Sequence, residues 1–529
     1  MAKKTAKKAE TLTLEQVLYN CRTALRGVGA TDDNRNAVIG LVFLKFATDK
    51  CDKCREHLHR TGQPTEKQSF YRREGVFPVP EKARWDYLSD HSADSDIAKK
   101  IDDAMKFMED ENSALAGALP QGLYVGLGAA KDSIKKLINE ISRIDETLFH
   151  EEDIIGRVYE YFLQTYAAAG SKEDGEFYTP ACVVQLIAEL IEPYDGNVYD
   201  PCCGSGGMFV QSLKFVEKHK GDRKRVNVIG QESKLATWKL CKMNLAIRGI
   251  AHDLGNKNAS TFTEDLHKDK TGQIDYVMAN PPFNLEGWTE DNESIQTDLR
   301  WKGYVVPCSS NANYAWILHI LSKLKPNKGI AGFLLANGAL NDPNELENRK
   351  RLVDNDKIEA IIVLPHDMFY TVPISVTLWI INQNKNKREL NGRKLRDRRG
   401  EVLFLDLRRW NAYTEKYVIE KGKSKKKTIL QPSQIEDIRQ IYFNWQDEDR
   451  KKYSDVPELC KAVLIEDIAK KGYSLAPSKY VEFIDHDLEI DYDTEMMRIQ
   501  SEMKKLLKQE RASQKMLENA FKGIGHEVK

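Results

Sequence analysis

The chain has 529 residues, and its 80 Lys and Arg balance 80 Asp and Glu, so the formal net charge is zero. A hydrophobic content of 41% and a mean hydropathy of -0.55 are typical of a globular protein and exclude a disordered one. No apolar run approaches the ~18 residues that a membrane span needs, and the basic N-terminus lacks the apolar segment of a secretory signal. The nine scattered cysteines indicate reduced thiols, so we expect a cytoplasmic protein with no membrane association.

Residues 1–168 have the pattern of a helical N-terminal domain. Thr13 and Gln16 have the spacing of a capping box, and apolar residues then recur at helical spacing. Cys51 and Cys54 lie near two histidines, a spacing that is also compatible with zinc. The segment continues the helical pattern before it, so we interpret these cysteines as part of a helix and expect no metal.

Residues 167–175 are small and polar and predict a hinge, after which the pattern changes. Short β-rich runs now alternate with helical segments, which predicts an α/β domain with a mostly parallel sheet and helices on both faces. We assign residues 169–420 to that domain. The predicted strands are Val198–Asp200, Val226–Ile229, Ile274–Met278, Ile330–Leu335, Ala360–Leu364, Ser375–Ile381 and Glu401–Asp406.

Residues 421–529 form a third region that ends in a predicted helix. Residues 385–400, within the preceding domain, and the basic patch 421–427 are interpreted as loops, with a phosphate contact as the alternative for the patch. Near the end of the chain, apolar residues follow amphipathic helical spacing at Met496, Ile499, Met503 and Leu506. That helix either covers its own core or packs against a partner chain, which Met-rich seams suit. We describe it as a partner-binding helix.

The first two predicted strands carry the features of a ligand site. Asp200 ends the first strand, and the glycine-dense turn through Ser205, Gly206 and Gly207 leads into an amphipathic helix. Glycines allow close approach to a ligand, and a helix N-terminus offers free N–H groups, although a tight structural turn has the same pattern. Glu232 follows the second strand, where an acidic residue can accept hydrogen bonds from ribose hydroxyls. An ordinary acid at a helix N-terminus is its alternative.

The tetrad Asn280-Pro281-Pro282-Phe283 directly follows the third predicted strand. The two prolines fix the backbone and lack N–H donors, which leaves carbonyls free as acceptors, and Asn280 adds an amide oxygen. Two oxygen acceptors can hold an exocyclic amino group with its lone pair directed at an electrophile. Phe283 offers a flat face on which an extruded base can stack. The tetrad therefore predicts chemistry at an amino group rather than a plain turn.

Together these motifs resemble the amino-group DNA methyltransferases that use S-adenosylmethionine. The segment 175–180, Gly-Glu-Phe-Tyr-Thr-Pro, is similar to one in the modification subunits of type I restriction-modification systems. The resemblance implies a Rossmann-like S-adenosylmethionine-dependent methyltransferase domain, preceded by an all-α domain and followed by a helical C-terminal tail. It also implies methyl transfer to adenine N6 in DNA. Cys202 and Cys203 stand where two small residues, often Ala-Ala, are usual.

By position, the resemblance assigns catalysis to Asn280, Pro281, Pro282 and Phe283. The backbone of residues 205–207 would approach the cofactor, with Asp200 beside it, and Glu232 would hold its ribose. Asp265 would read its adenine amino group, with a plain loop carboxylate as the alternative. The methionine end of the cofactor would meet Glu176, Phe177, Tyr178, Thr179, Pro180 and Ala181.

Sequence recognition is expected to come from another chain. A self-sufficient enzyme needs a sizeable recognition region, and only residues 382–529 remain after the last parallel-sheet run. Zero net charge is also unusual for a protein that grips DNA alone. The resemblance implies a specificity subunit bound by two copies of this chain, with a restriction subunit joining for cleavage. Two alternatives stay open: a standalone DNA methyltransferase acting at adenine N6 or cytosine N4, and a cofactor-binding scaffold without turnover.

Overall fold

The computed structural model describes residues 13–144, 157–158, 161–162, 179–289, 293–369, 375–409, 413–420, 423–484 and 492–523. The chain divides into two compact units, residues 1–481 and residues 482–529.

The described N-terminal residues are helical, as predicted. Thr13 and Gln16 form the expected capping box, because each side chain accepts a hydrogen bond from the backbone of the other. The second helix spans Thr31–Arg60 and carries Cys51 and Cys54 into an apolar core, as the continued helical pattern predicts. The predicted domain boundary at residue 168 lies outside the described residues. The helices are α1 Leu14–Ala24, α2 Thr31–Arg60, α3 Gln68–Arg73, α4 Trp85–Asp90, α5 Ile97–Glu111, α6 Leu123–Gly126 and α7 Lys131–Ile141.

All seven predicted strands are present within the set β1 Gly196–Asp200, β2 Val226–Gly230, β3 His252–Asp253, β4 Tyr276–Ala279, β5 Ile330–Ala336, β6 Ile358–Val363, β7 Val376–Asn382, β8 Arg388–Leu390, β9 Arg393–Leu395, β10 Glu401–Asp406, β11 Tyr413–Glu420, β12 Lys423–Ile429 and β13 Cys460–Leu464. One large sheet has the order β13-β10-β6-β7-β5-β4-β1-β2-β3. Its pairings are parallel except those of β7 with β5 and β6 and of β13 with β10. The strands β2 and β3 are added on one side of β1, and β4 and β5 are added on its other side. Such a topological switch point between β1 and β4 creates a crevice at the carboxyl ends of the strands.

Two apolar cores lie on opposite faces of this sheet. Adjacent residues of one strand point to opposite faces, so Val198 belongs to one core and Tyr199 to the other, as do Met278 and Val277. Burial on both faces explains why the strands are continuously apolar rather than alternating. The helices of this part are α8 Ala181–Ile191, α9 Gly207–Lys218, α10 Leu235–Ile247, α11 Glu293–Gln296, α12 Asn313–Lys323, α13 Leu346–Asp354, α14 Pro432–Gln446 and α15 Ile465–Lys470.

Helix α10 belongs to both the helical core and the sheet core. Its Met243 and Ile247 pack in the N-terminal core, whereas its Cys241 and Leu245 pack against the sheet. The Nζ of Lys50 in α2 donates a hydrogen bond of 2.8 Å to the carbonyl of Ile247. An apolar helix of this kind ties the two parts of the first unit together.

The loop prediction is wrong for residues 388–395 and for the basic patch. Residues 388–395 form the antiparallel hairpin β8–β9, and β11 pairs with β12 across the patch. The polar and charged composition of both segments is that of loops, so the sequence did not reveal either hairpin. The sheet also continues beyond residue 420, because β13 pairs with β10 and α14 packs in one sheet core.

The second unit contains the helix α16, Tyr492–Gly523, as the apolar spacing predicts. Its exposed apolar side chains include Met496, Ile499, Met503 and Leu506. In the part of the chain that the structure describes, no helix combines the length and apolarity needed to cross a membrane.

Candidate active site

A cavity of about 570 Å³ opens at the carboxyl ends of β1, β2 and β4, where the topology places a crevice. Its size is within the range of small-molecule and cofactor sites. It brings together residues that are far apart in sequence but were predicted to act together. These are Thr179, Asp200, Ser205, Gly207, Glu232, Asn280, Pro282 and Phe283.

The glycine turn at this cavity needs glycine at Gly206. Its φ of +83° is in the left-handed region, and a Cβ there would lie 2.9 Å from the Sγ of Cys241. Gly206 is also the N-cap of α9, so the helix begins at the cavity without a capping side chain. The conformation of Gly206 therefore allows the turn to pack closely against Cys241, while Gly204, Ser205 and Gly207 line the cavity.

Gln231 joins three loops around the cavity. Its backbone N–H donates to the Asp200 carbonyl, and its own carbonyl accepts from the N–H of Cys203. Its buried side chain donates to the carbonyls of Ala259 and Glu264. The sequence analysis missed this residue, although a polar residue directly before Glu232 was a usable signal.

Glu232 lies at the cavity with its carboxylate tied to the glycine turn. The N–H of Gly204 donates to Oε2 at 3.0 Å, and the N–H of Lys234 donates to Oε1 at 2.9 Å. The N-cap of α10 is Lys234, so Glu232 is not the capping residue that its alternative interpretation required. The carboxylate is therefore oriented at the cavity wall, within reach of a ligand.

Asp200 is 1% exposed, and the pKa of its carboxyl group lies well above the ordinary value. Burial raises its pKa to about 7, hydrogen bonds from Cys202 oppose that shift, and the charge of Glu232 raises the pKa further. The N–H of Cys202 donates to Oδ1 at 3.0 Å. Asp200 thus shapes the turn and contributes a protonatable group to the cavity wall.

The side-chain amide of Asn280 is anchored through its nitrogen, whereas its oxygen has no partner among the described residues. Its Nδ2 donates to the Oγ1 of Thr179 at 2.9 Å, which fixes the orientation of the amide. Its Oδ1 is buried and has no hydrogen-bond partner among the described residues. A buried acceptor without a donor is costly, so this oxygen is prepared for a donor supplied by a ligand.

The chain after the tetrad is held in a specific conformation by Asn313, the first residue of α12. Asn284 has a φ of +51°, a conformation that asparagine tolerates better than most residues. Its N–H donates to Oδ1 of Asn313 at 3.1 Å, and Nδ2 of Asn313 donates to Oδ1 of Asn284 at 2.8 Å. Phe283 packs edge-to-face with Phe369, with ring centroids 6.3 Å apart. Two polar contacts and one aromatic contact therefore position the tetrad.

Comparison with known proteins places the chain in a family. Residues 150–488 match the family described as N-6 DNA Methylase, and residues 14–141 match the HsdM N-terminal domain. The chain is 37% identical over 429 residues to the methylase subunit of the type I restriction enzyme HindI from Haemophilus influenzae, covering 76% of this chain and 89% of the relative. The chain belongs to the N-6 DNA methylase family. It is a DNA methyltransferase of the kind found in type I restriction-modification systems.

A second relative of this methylase spans nearly the whole chain. The methylase subunit of the type I restriction enzyme MjaIX from Methanocaldococcus jannaschii is 32% identical over 536 residues, which cover 97% of this chain and 91% of the relative. A solved methyltransferase subunit of the type I system from Streptococcus thermophilus has a TM-score of 0.68 at 21% identity, covering 89% of this chain and 99% of that one. At that identity the structure shows the fold alone, and it confirms the predicted fold class.

Asp265 does not reach the cavity wall of this methylase. It is 8% exposed, and its Oδ2 accepts a hydrogen bond of 2.7 Å from the Nζ of Lys323, which is itself fully buried. The same Nζ donates to the carbonyl of His267. A buried ammonium needs a counter-charge, so the ion pair with Lys323 gives Asp265 a structural role. The neighbouring Ser260, Thr261 and Phe262 line the cavity instead.

The remaining predicted residues of the methylase are only partly placed. Glu176, Phe177 and Tyr178 lie outside the described residues. Pro180 is the N-cap of α8, which begins at Ala181. The cavity wall does not include Pro180, Ala181, Gly206 or Pro281. The sequence analysis also missed Met208, Leu285 and Trp316, apolar residues of the wall whose helical or loop patterns carry no functional signal.

Proposed function

We propose that this methylase transfers a methyl group from S-adenosylmethionine to N6 of adenine in DNA, with the base sequence read by a separate specificity subunit. The observation that carries the proposal is the buried, unpartnered Oδ1 of Asn280 at a cavity that also holds the glycine turn and Glu232. The family supports the methyl transfer, and the geometry of Asn280 supports an amino group as the acceptor.

The cavity residues fit a nucleoside with a cationic side chain. Glu232 offers a carboxylate to ribose hydroxyls, and Gly204, Ser205 and Gly207 of the glycine turn line the cavity. Glu232 also places a carboxylate at the cavity, which suits a cationic cofactor. S-adenosylmethionine, when bound, supplies an electrophilic methyl group.

Asn280 would act by orienting the amino group of the base. The lone pair of adenine N6 is delocalised into the ring, so the amino group is a poor nucleophile. The Oδ1 of Asn280 would accept one amino hydrogen and direct the lone pair towards the methyl group. The carbonyl of Pro281 is the acceptor that the motif assigns to the second hydrogen, although Pro281 does not line the cavity. Thr179 holds the Asn280 amide in the required orientation. Catalysis of this type depends on positioning and fixed dipoles rather than on a strong base.

The target base must leave the duplex before it reaches Asn280, which costs a few kcal/mol. Phe283 is half-buried at the cavity and is held against Phe369, so its ring forms a fixed surface for the base. Stacking on an aromatic ring contributes about 1–3 kcal/mol per base, which is comparable with the cost of extrusion.

The partners in this proposal are DNA, a specificity subunit bound by two copies of this chain, and a restriction subunit that joins for cleavage. Zero net charge and the exposed apolar residues of α16 support the need for a partner. The methylase relatives from H. influenzae and M. jannaschii carry names of type I restriction enzymes.

The Asn280→Ala variant tests the proposed role of the tetrad. We expect methylation by the complex with its specificity subunit to fall by roughly 10²–10³-fold, as when one preorganised polar group is removed from an active site. Binding of S-adenosylmethionine should stay within about threefold, because Asn280 contacts the base rather than the cofactor. Asn256→Ala, at an exposed asparagine, serves as the control. Unchanged methylation by Asn280→Ala would show that the site assignment is wrong.

A further inference from the structure

A second cavity, of about 220 Å³, lies at the opposite edge of the large sheet. Tyr276 and Ile330 line it at the starts of β4 and β5, and Asn382 lines it at the end of the antiparallel β7. The catalytic cavity lies at the carboxyl ends of β1 and β4, and the two cavities share no lining residue. The chemistry proposed for Asn280 makes no use of this second cavity.

Positive charge dominates the wall of this second cavity. Lys328, Arg388, Arg393 and Arg398 line it, against two carboxylates. Glu192 is paired with Arg393, and Asp275 lies 2.8 Å from the Nζ of Lys328.

The charge of Arg398 is balanced by an ion pair with a carboxylate, whereas Arg388 has no such pair among the described residues. The Nε of Arg398 donates to Glu359 at 2.9 Å. Among the residues that the structure describes, Arg388 makes no ion pair. Of the four cations of this wall, Arg388 is therefore the one without a close ion pair among the described residues.

Three arginine nitrogens of this wall also lack a hydrogen-bond acceptor. Arg398 is 0% exposed, and its Nη2 has no acceptor within the described chain. The buried Nε atoms of Arg388 and Arg393 also have none. A buried charged donor without an acceptor is strongly unfavourable, and three in one cavity wall indicate a missing acceptor.

The electrostatics of Arg388 agree with this interpretation. Burial lowers the pKa of its guanidinium, the charge of Glu359 raises the pKa, and the charge of Arg398 lowers it. An anion in the cavity would offset both unfavourable contributions.

We propose that this cavity binds a small tetrahedral oxyanion of the phosphate class between Arg388 and Arg398. The planar guanidinium groups match two oxygens of such an anion and donate several charge-assisted hydrogen bonds. Arg393 is stacked on Phe443 with its guanidinium carbon 3.6 Å from the ring centroid, which fixes part of the wall. The anion would also join the hairpin β8–β9 to the starts of β4 and β5, so it would stabilise this region.

Equilibrium dialysis of the full chain with radiolabelled inorganic phosphate tests the proposal, with chloride used to hold the ionic strength constant. We expect one saturable site per chain, and a loss of affinity of at least about tenfold in Arg388→Gln, because a charge-assisted contact is removed. Arg26→Gln, at an exposed arginine of the helical region, should bind phosphate as the natural chain does. Phosphate should also raise the unfolding temperature of the natural chain but not that of Arg388→Gln.

The absence of saturable binding, or equal binding by Arg388→Gln, would overturn the proposal. Displacement of phosphate by a short DNA duplex, together with weaker DNA binding by Arg388→Gln, would identify a DNA backbone phosphate as the occupant and would contradict a free anion. Binding of S-adenosylmethionine is measured in the same samples. It should be unchanged in Arg388→Gln, so this test and the test of the proposed function can fail independently.

Discussion

At the scale of single residues, the cavity of this methylase holds an anchored amide at Asn280, a tethered carboxylate at Glu232 and a buried carboxyl at Asp200. The motif pattern predicted all three positions, because short strand-to-turn motifs fix which residues reach the carboxyl edge of a sheet. It did not predict the ion pair between Asp265 and the buried Lys323. The two residues are 58 positions apart in sequence, and no local pattern shows that a buried lysine needs this carboxylate.

Asp200 gives a prediction for the pH dependence of stability. Its pKa is raised from the ordinary 3.8 to about 7, so the folded state favours the protonated form. The contribution to stability is complete below about pH 4 and is lost as the pH rises through about 7. One pKa unit corresponds to roughly 1.4 kcal/mol, so the effect amounts to a few kcal/mol.

The neutral variant Asp200→Asn should remove that contribution. Relative to the natural chain, its thermal unfolding temperature should rise steadily between about pH 4 and about pH 7, and the difference between the two proteins should stay constant above that range. Calorimetry or circular dichroism across the pH series measures the difference. Identical pH profiles for the two proteins would contradict the shifted titration of Asp200.

Variants of the ion pair between Asp265 and Lys323 distinguish a structural role of Asp265 from a role in binding the cofactor. Asp265→Asn leaves the buried ammonium without a counter-charge and should cost about 3 kcal/mol of the free energy of unfolding. Adding Lys323→Met should restore most of that stability, measured by urea denaturation. Normal binding of S-adenosylmethionine by the double variant is expected, and weak binding by a stable double variant would return Asp265 to its predicted cofactor role.

At the scale of elements, the seven apolar strands at the centre of the large sheet were the most predictable part of the fold, whereas its edge strands β3 and β13 were not predicted. The apolar runs of these seven strands are buried on both faces, so composition alone identifies them. The hairpins β8–β9 and β11–β12 were not predicted, because their charged sequences have no apolar alternation. The site likewise depends on contacts between elements, such as the link from α12 to the loop after the tetrad.

The link between Asn313 and Asn284 predicts a defect in catalysis rather than in cofactor binding. Asn313→Ala removes both hydrogen bonds to Asn284 and should lower the methylation rate while leaving the affinity for S-adenosylmethionine nearly unchanged. The loss corresponds to about 1–3 kcal/mol. Asn284→Gly is the matched control, since it keeps the backbone N–H bond and the positive φ and should have a milder effect. Equal or greater loss in Asn284→Gly would contradict this account.

At the scale of the whole molecule, the two units suggest separate tasks for the chain. The first unit contains the cavity and the cores, and the second contains α16 with exposed Met and Leu residues. The sequence predicted this helix but not its partner, because one amphipathic pattern serves either an internal core or another chain.

Removing residues 490–529 should therefore abolish co-purification of the specificity subunit while leaving the unfolding temperature of the first unit nearly unchanged. The double variant Met503→Glu, Leu506→Glu should have the same effect, because a carboxylate within an apolar seam cannot be paired. Lys505→Glu in the same helix is the charge-matched control. Intact assembly of the truncated chain would show that α16 is not the contact.

The most direct measurement is methyl incorporation from labelled S-adenosylmethionine into unmethylated DNA, by the purified chain alone and with its specificity subunit, with nucleoside analysis of the product. We predict that the lone chain binds the cofactor without methylating DNA, and that the complex produces N6-methyladenine. Robust methylation by the lone chain would contradict the delegated recognition, N4-methylcytosine would contradict the adenine assignment, and cofactor binding without any turnover by the complex would indicate a scaffold.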